Sequence, residues 1–269
     1  MIATCALPSS AKNLVTTTHT SRFYLLPKIH KPNNPRWPIV SACSYPNENI
    51  SANRDEVLAP IVKSLPNYVK DTNHALHLSD SFRFDTTTPG HHFLFTMDVK
   101  SLYTVIPNDC GLQALAYFLE KRAVKELSTP TLTSLAELVL TLNSFSFNNE
   151  YHRQLGGVVM GSRMGPNYAC LFVGYVEQQI REQYTGFIPQ LHKRYIVTLL
   201  GQLRAGGMIS TLLTLFLTST QHFNSQQLLP KQNYRFSISS WSLQACYPFQ
   251  PVPPPSSTML KRWRLPDQI

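Results

Sequence analysis

Asp98 closes an apolar run, Phe93-Leu94-Phe95-Thr96-Met97, in the stretch TMDVKSLYTVIP. A carboxylate at the end of such a strand is costly unless it is exposed, paired or bound to a cation. Mg²⁺, held by few carboxylates together with substrate phosphates, is one candidate occupant, and a solvated strand end is the alternative. Tyr103 falls just beyond the strand, near whatever occupies that end. A second group lies in QLGGVVMGSRMGPNYACLF, where Gly156, Gly157, Gly161 and Gly165 permit close backbone approach to a flat or charged ligand. Pro166 suits an early helical position, and a helix N-terminus behind a glycine loop suits phosphate or a stacked base pair. The spacing fits neither G-x-x-x-x-G-K-[ST] nor G-x-G-x-x-G, so neither nucleotide fingerprint applies and a plain hairpin-to-helix turn is the alternative. A third group is Lys28, Lys31 and Arg36 in RFYLLPKIHKPNNPRWPIVSACS. Prolines stiffen this segment, so it presents charge with little entropy left to lose, as phosphate contacts require. The alternative is a solvated basic loop.

Several elements must position these groups. Residues 1–20 read as a loose lead-in, and 22–44 as a proline-stiffened basic arm that passes into a short strand at Pro38-Ile39-Val40. RDEVLAPIVKSLPNYVKD has helical spacing at Val57, Leu58, Ile61, Val62 and Leu65 and ends near Pro66. HHFLFTMDV reads as a strand, CGLQALAYFLEKRAV and TLTSLAELVLTLNSF as helices, and FSFNNEYHRQ as a hairpin turning at Asn148-Asn149. A long helix follows the glycine loop. This order, without a clean βαβ repeat, predicts an α+β palm-like sheet backed by helices.

The chain has 269 residues, 43% hydrophobic, enough for a sizeable core. Its formal charge of +9 favours a polyanionic partner, most simply nucleic acid. Five scattered cysteines without CxxC spacing argue for a reducing compartment and against a zinc module. MIATCALPSSAKN lacks the pattern of a signal peptide, and MISTLLTLFLT is too short to span a bilayer. The expectation is an intracellular protein, nuclear or cytoplasmic, neither secreted nor membrane-embedded. Residues 197–269 contain one acidic residue, Asp267, against fourteen earlier, and keep no helical or strand period.

Basic arm, short strand, Asp-tipped strand and glycine loop into helix follow one another as in a right-handed polymerase. FYLLPKIHKP, PIVSACS, VKDTNHAL, TMDVKSLYTVIP, LNSFSFNNEYHRQLGGVVMG and PNYACLFVGYVE closely resemble the reverse transcriptases of Penelope-like retroelements, from about Phe23 to Ile196. The resemblance implies an incomplete fingers/palm fold, with 21–92 fingers-like, 93–196 palm-like and 197–269 an irregular tail. It makes Asp98 the first catalytic, metal-binding aspartate, with the Val99 carbonyl as a second Mg²⁺ ligand. Tyr103 becomes a gate against a sugar 2′-hydroxyl, and Gln154 and Gly161 belong to the loop supporting the incoming nucleotide. Lys28, Lys31 and Arg36 match the fingers arm, expected to fold over the Asp98 strand end. RNA template, DNA primer and dNTP would be the partners, and the family's chemistry is two-metal phosphoryl transfer.

Two positions depart from the family. Gly-Arg-Pro is replaced by Arg36-Trp37-Pro38, and an indole cannot contact phosphate bidentately. Where an Asp-Asp pair should follow Arg-Tyr-Ile, the chain reads Tyr195-Ile196-Val197-Thr198. A single carboxylate cannot offset the repulsion between two Mg²⁺ ions. The genetic code offers a cause: GTN ACN with one A restored becomes GAT NAC, which can spell Asp-Asp. In the same frame Met208-Ile209 forces another GAT, and Ser219–Ser225 can spell Phe-His-Pro-Ala-Leu-Gln-Phe, resembling the family's next motif. A one-base deletion in the codon of Val197 would make the tail out-of-frame translation. Three functional classes follow: an RNA-directed DNA polymerase, a non-catalytic remnant that grips template and primer, and a pseudogene product without a role.

Overall fold

The computed structural model describes residues 19–29, 32–83, 92–99, 102–123, 125–183, 191–196 and 198–204, with backbone alone for 92–98, 183 and 202–204. Along the chain lie β1 (Ser21–Pro27), β2 (Arg36–Val40), α1 (Glu48–Lys63), α2 (Thr72–Ser81), β3 (His92–Asp98), α3 (Leu102–Val105) and α4 (Asn108–Glu120). After these come α5 (Thr129–Thr141), β4 (Ser144–Phe147), β5 (Glu150–Arg153), α6 (Gly165–Gln183), β6 (His192–Tyr195) and β7 (Thr198–Arg204). The described residues divide into two compact units: those up to Leu65 with those from Ser101 to Gln178, and those from Pro66 to Lys100 with those from Gln179 to Arg204.

The first unit carries a four-stranded sheet in the order β2-β1-β4-β5. The segment expected to be a basic arm is half strand: β1 pairs antiparallel with β2 from Phe23↔Val40 to Pro27↔Arg36. Five consecutive residues of high strand preference or apolar character, Phe23 to Pro27, outweigh the charges beyond them. Pro38 fits because β2 is an edge strand, where a missing N–H leaves no ladder bond unmade, and Pro27 ends β1 beyond the reach of its pairing with β4. The β4–β5 hairpin turns at Asn148 and Asn149, both in the left-handed region (φ 51° and 64°), as the sequence predicts for a two-residue connection. β1 and β4 run parallel through Ser21↔Phe145 and Arg22↔Ser146.

Helices supply this unit's core. α1 begins at Glu48, earlier than its apolar period predicts, and buries Leu58 and Val62. α4 buries Ala114, Leu115 and Leu119, while Ser128 caps α5, whose Leu135, Ala136 and Leu140 face inward. Tyr168 of α6 is 1% exposed, and burial raises the pKa of its phenol, so it stays neutral.

The second unit holds an antiparallel sheet in the order β3-β7-β6. Within the tail expected to be irregular from residue 197, Thr198–Arg204 instead form β7, and 205–269 lie outside the described residues. Apolar Leu199 and Leu200 and the flanking residues offer a β-compatible partner to the Phe-rich β3, and pairing overrides the tail's poor local signal. Tyr68 bridges to Arg194, with Val69 N donating to Arg194 O at 2.9 Å. α2 is capped by Asp71, whose Oδ1 accepts from His74 N at 2.8 Å. That bond holds the Asp71 carboxyl below its usual range, so the cap is intact above the ordinary aspartate pKa and is lost as pH falls through the lowered one. No helix among the described residues is long and apolar enough to cross a membrane.

One residue of the first unit works against its stability. Arg54 of α1 is 2% exposed, its Nε and Nη1 have no hydrogen-bond partner, and Nη2 reaches only Asn53 Oδ1. Burial first and the cation of Arg122 second push its pKa down to about 10. A buried charge so poorly paired costs more in desolvation than it returns. Arg54→Met is expected to stabilise the protein by about 1–4 kcal/mol, read as a raised urea midpoint with unchanged slope.

Candidate functional site

The second unit fixes the Asp98 end of β3 by backbone register. Seven consecutive pairs join β3 to β7, ending in Asp98↔Thr198, and β6 joins β7 through Tyr195↔Thr198. Asp98, Thr198 and Tyr195 thus form one row, and the position expected to hold the second aspartate of the pair stands directly across from Asp98. The connection between β6 and β7 is two residues, Ile196 and Val197, of which Val197 lies outside the described residues. Ile196 sits at φ 47°, in the left-handed region, where a β-branched side chain is strained. The guanidinium of Arg194, itself 2% exposed, steadies this turn by donating from Nη1 to Ile196 O at 3.1 Å.

The first unit gathers a second set. Tyr103, half-buried in α3, accepts a hydrogen bond at its carbonyl from Val158 N at 2.7 Å. Gly157 (φ 76°) passes so close that an added Cβ would lie 2.5 Å from that same oxygen. Gly161 (φ 123°) would place a Cβ 2.4 Å from Val40 O, and Met160 O accepts from Val40 N at 3.0 Å. The glycine loop is therefore wedged between Tyr103 and the end of β2, and glycine is required there by contact as well as by torsion. Gln154 stands at the loop's entrance: its N–H donates to Asn143 O at 2.9 Å and its Nε2 to Gly156 O at 2.8 Å.

Tyr103, Gln154, Gly161 and the β2 end are brought together. Lys28 follows β1 directly, with Nζ 4.4 Å from the ring centroid of Trp37. Arg36 is exposed at the start of β2. Lys31 lies outside the described residues, while Asp98 and Val99 belong to the second unit.

Two contributors carried no signal in the sequence. Asn143 is a hub: Nδ2 donates to Val139 O at 2.6 Å, Oδ1 accepts from Asn47 Nδ2 at 3.2 Å, and its carbonyl holds Gln154. Tyr45 OH donates to Leu142 O at 2.6 Å and accepts from Ser144 N at 3.0 Å. Together they tie the chain after β2 to the start of β4.

The residues present do not fit two Mg²⁺ ions. The row across β3, β7 and β6 contains one carboxylate, with a threonine opposite it. Among the described residues no group of three or more His, Cys, Asp or Glu is placed to hold a metal. Such a site needs carboxylates to balance the cations' mutual repulsion.

No family model matches the chain, and no curated protein matches it. Solved structures do. Apo telomerase from Candida tropicalis, truncated from its C-terminal domain, superposes with a TM-score of 0.57 at 10% identity, covering 80% of this chain and 50% of that one. Telomerase from Candida albicans in complex with a TWJ fragment of telomeric RNA gives 0.56 at 9% identity, covering 85% and 45%. Telomerase from Candida tropicalis with the same kind of RNA fragment gives 0.56 at 11%, covering 84% and 41%. The chain spans half or less of the length of these structures. The fold is reverse-transcriptase-like, a mixed α/β arrangement shared in part with the telomerase polymerase.

The strain at Ile196 is testable. Ile196→Asn should raise stability by about 1 kcal/mol, because asparagine tolerates the left-handed region, whereas Ile196→Val should leave the denaturant midpoint unchanged or lower.

Proposed function

We propose that this chain is the fingers and palm portion of a Penelope-like reverse transcriptase, fingers-like over 21–92 and palm-like over 93–196. It binds an RNA template with a DNA primer but does not incorporate dNTP. One observation carries the reading: Asp98 pairs across the sheet with Thr198, where polymerase chemistry requires another carboxylate. The reverse-transcriptase-like fold supports it, as do the formal charge of +9 and the glycine loop seated on Tyr103 and β2. An intracellular location, nuclear or cytoplasmic, goes with this reading.

In a functional member, bound Mg²⁺ would supply charge neutralisation at the transferring phosphoryl group. What this chain's own residues retain is positioning. Tyr103 and the Gly157–Gly161 loop present a shaped surface for a sugar and base, and Lys28 and Arg36 present cations for phosphate. What is missing is the carboxylate charge that would hold the metal ions, whose stabilisation of the transferring phosphoryl group would supply most of the rate. The frame of the gene is part of the proposal: a one-base deletion in codon 197 replaced Asp-Asp by Val-Thr. The genomic sequence around that codon tests it, and absence of an Asp-Asp codon pair in every frame overturns it.

Primer extension with Mg²⁺ or Mn²⁺ should show no template-dependent incorporation above background. Val197→Asp combined with Thr198→Asp should create a Mn²⁺ site detectable by paramagnetic resonance and absent from the unaltered chain, yet should not restore extension, because residues beyond the hairpin remain out of frame. Extension by the unaltered chain that is lost in Asp98→Ala overturns the reading. An RNA–DNA duplex should bind about tenfold more tightly than single strands, through backbone and 2′-hydroxyl contacts, with affinity falling steeply as salt rises. Equal affinity for heparin would reduce the interaction to bare charge.

A further inference from the structure

Residues paired across strands share a sheet face, and faces alternate along each strand. In the four-stranded sheet the register puts Arg22, Tyr24 and Leu26 of β1 on one face with Trp37 of β2 and Tyr151 and Arg153 of β5. That face is open: Tyr24 is 45% exposed, Trp37 37% and Tyr151 78%. Arg22 and Arg153 are exposed as well, and Arg153 Nε donates to Thr141 O at 3.3 Å, which steadies the guanidinium. Glu150, the single acid in the four strands, falls on the opposite face with Phe145 and His152.

Large aromatic rings interleaved with arginines, on a rigid strand surface free of carboxylates, match the chemistry of single-stranded nucleic acid. Every base has a π-face, so stacking on such a platform is tolerant of sequence. Trp37 and Tyr151 stand three strands and four residues of rise apart, roughly 20 Å, long enough for several nucleotides. The tryptophan decides the chemistry of the platform. An arginine there would address phosphate, whereas an indole with Lys28 Nζ above its ring offers a flat apolar surface beside a cation.

We propose that this face binds single-stranded RNA or DNA, with bases stacked on Trp37, Tyr24 and Tyr151 and phosphates on Arg22 and Arg153. The inference rests on the nucleic-acid reading above and names where a single strand lies.

Trp37 reports on its own site once Trp241→Phe and Trp263→Phe leave it the sole indole of the full chain. Titration with oligo(U) or oligo(dT) should quench its emission. Tyr24→Ala and Tyr151→Ala should each weaken binding about tenfold with the salt slope unchanged, and Tyr151→Phe should bind as the parent does. Arg22→Ala should weaken binding and reduce that slope by about one. Circular dichroism checks that each variant folds, and Tyr151, being so exposed, carries the test if Tyr24→Ala does not. Three results overturn the platform: unchanged oligonucleotide affinity in Tyr151→Ala, heparin quenching Trp37 as strongly as oligo(U), or phosphatidylserine vesicles shifting Trp37 where oligonucleotides do not. RNA–DNA duplex binding separates the two levels. If the duplex binds while the single strand leaves Trp37 unaffected, the platform fails alone; if neither binds, the nucleic-acid reading fails with it.

Discussion

Cross-strand hydrogen bonding along β3, β7 and β6 sets Asp98, Thr198 and Tyr195 in one row of the second unit. The ladder runs unbroken from His92↔Arg204 to Asp98↔Thr198. A slip of one residue would reverse the faces of the whole strand, so the register is strongly held wherever one face is covered. Leu199, paired with Met97, is 3% exposed and helps hold it. The β6–β7 turn then falls between Tyr195 and Thr198, and Arg194 clasps its carbonyl. The hairpin therefore holds a threonine, not a carboxylate, directly across from Asp98.

The first unit depends on backbone contact of a different kind. Segments far apart in sequence are joined where side chains are absent: Gly157 against Tyr103, and Gly161 against Val40. Loops held by main-chain bonds on both flanks lose little entropy on meeting a ligand, which is the usual advantage of a preformed site. Asn143 extends the arrangement by satisfying the end of α5, a neighbouring amide and the entry to the glycine loop at once. Removing such a hub leaves several buried polar groups unmatched, which costs more than any one of its bonds is worth.

Local pattern made much of this legible. The Asn148-Asn149 turn, the helices with leucines at three- and four-residue steps, and the Asp-tipped strand all announce themselves in short windows. The pairing of β1 was hidden because prolines and lysines around it read as a solvated arm, and pairing with β2 is a property of two segments jointly. β7 was hidden for the same reason: its residues keep no period of their own and become a strand only beside β3. Asn47, Asn143 and Arg54 gave no sign, since a buried polar residue looks like a surface one until its partners, or their absence, are seen. Tyr103, Gln154 and Gly161 stand out in the sequence through the motif that contains them, whereas the contact between the glycine loop and β2 depends on distant backbone.

The parallel pairing of β1 with β4 also orders events in time. Roughly 120 residues separate the two strands, so the chain must close a long loop before that ladder can form. During synthesis the β1–β2 hairpin emerges well before β4, with one sheet edge unpaired and Phe23 without its eventual ring neighbours, Phe145 and Phe147. An open edge next to exposed apolar side chains is a template for pairing with another chain. The nascent protein is thus most vulnerable to aggregation in the interval between α1 and β4, and a chaperone that shields β1 during that interval would govern how much folded protein accumulates.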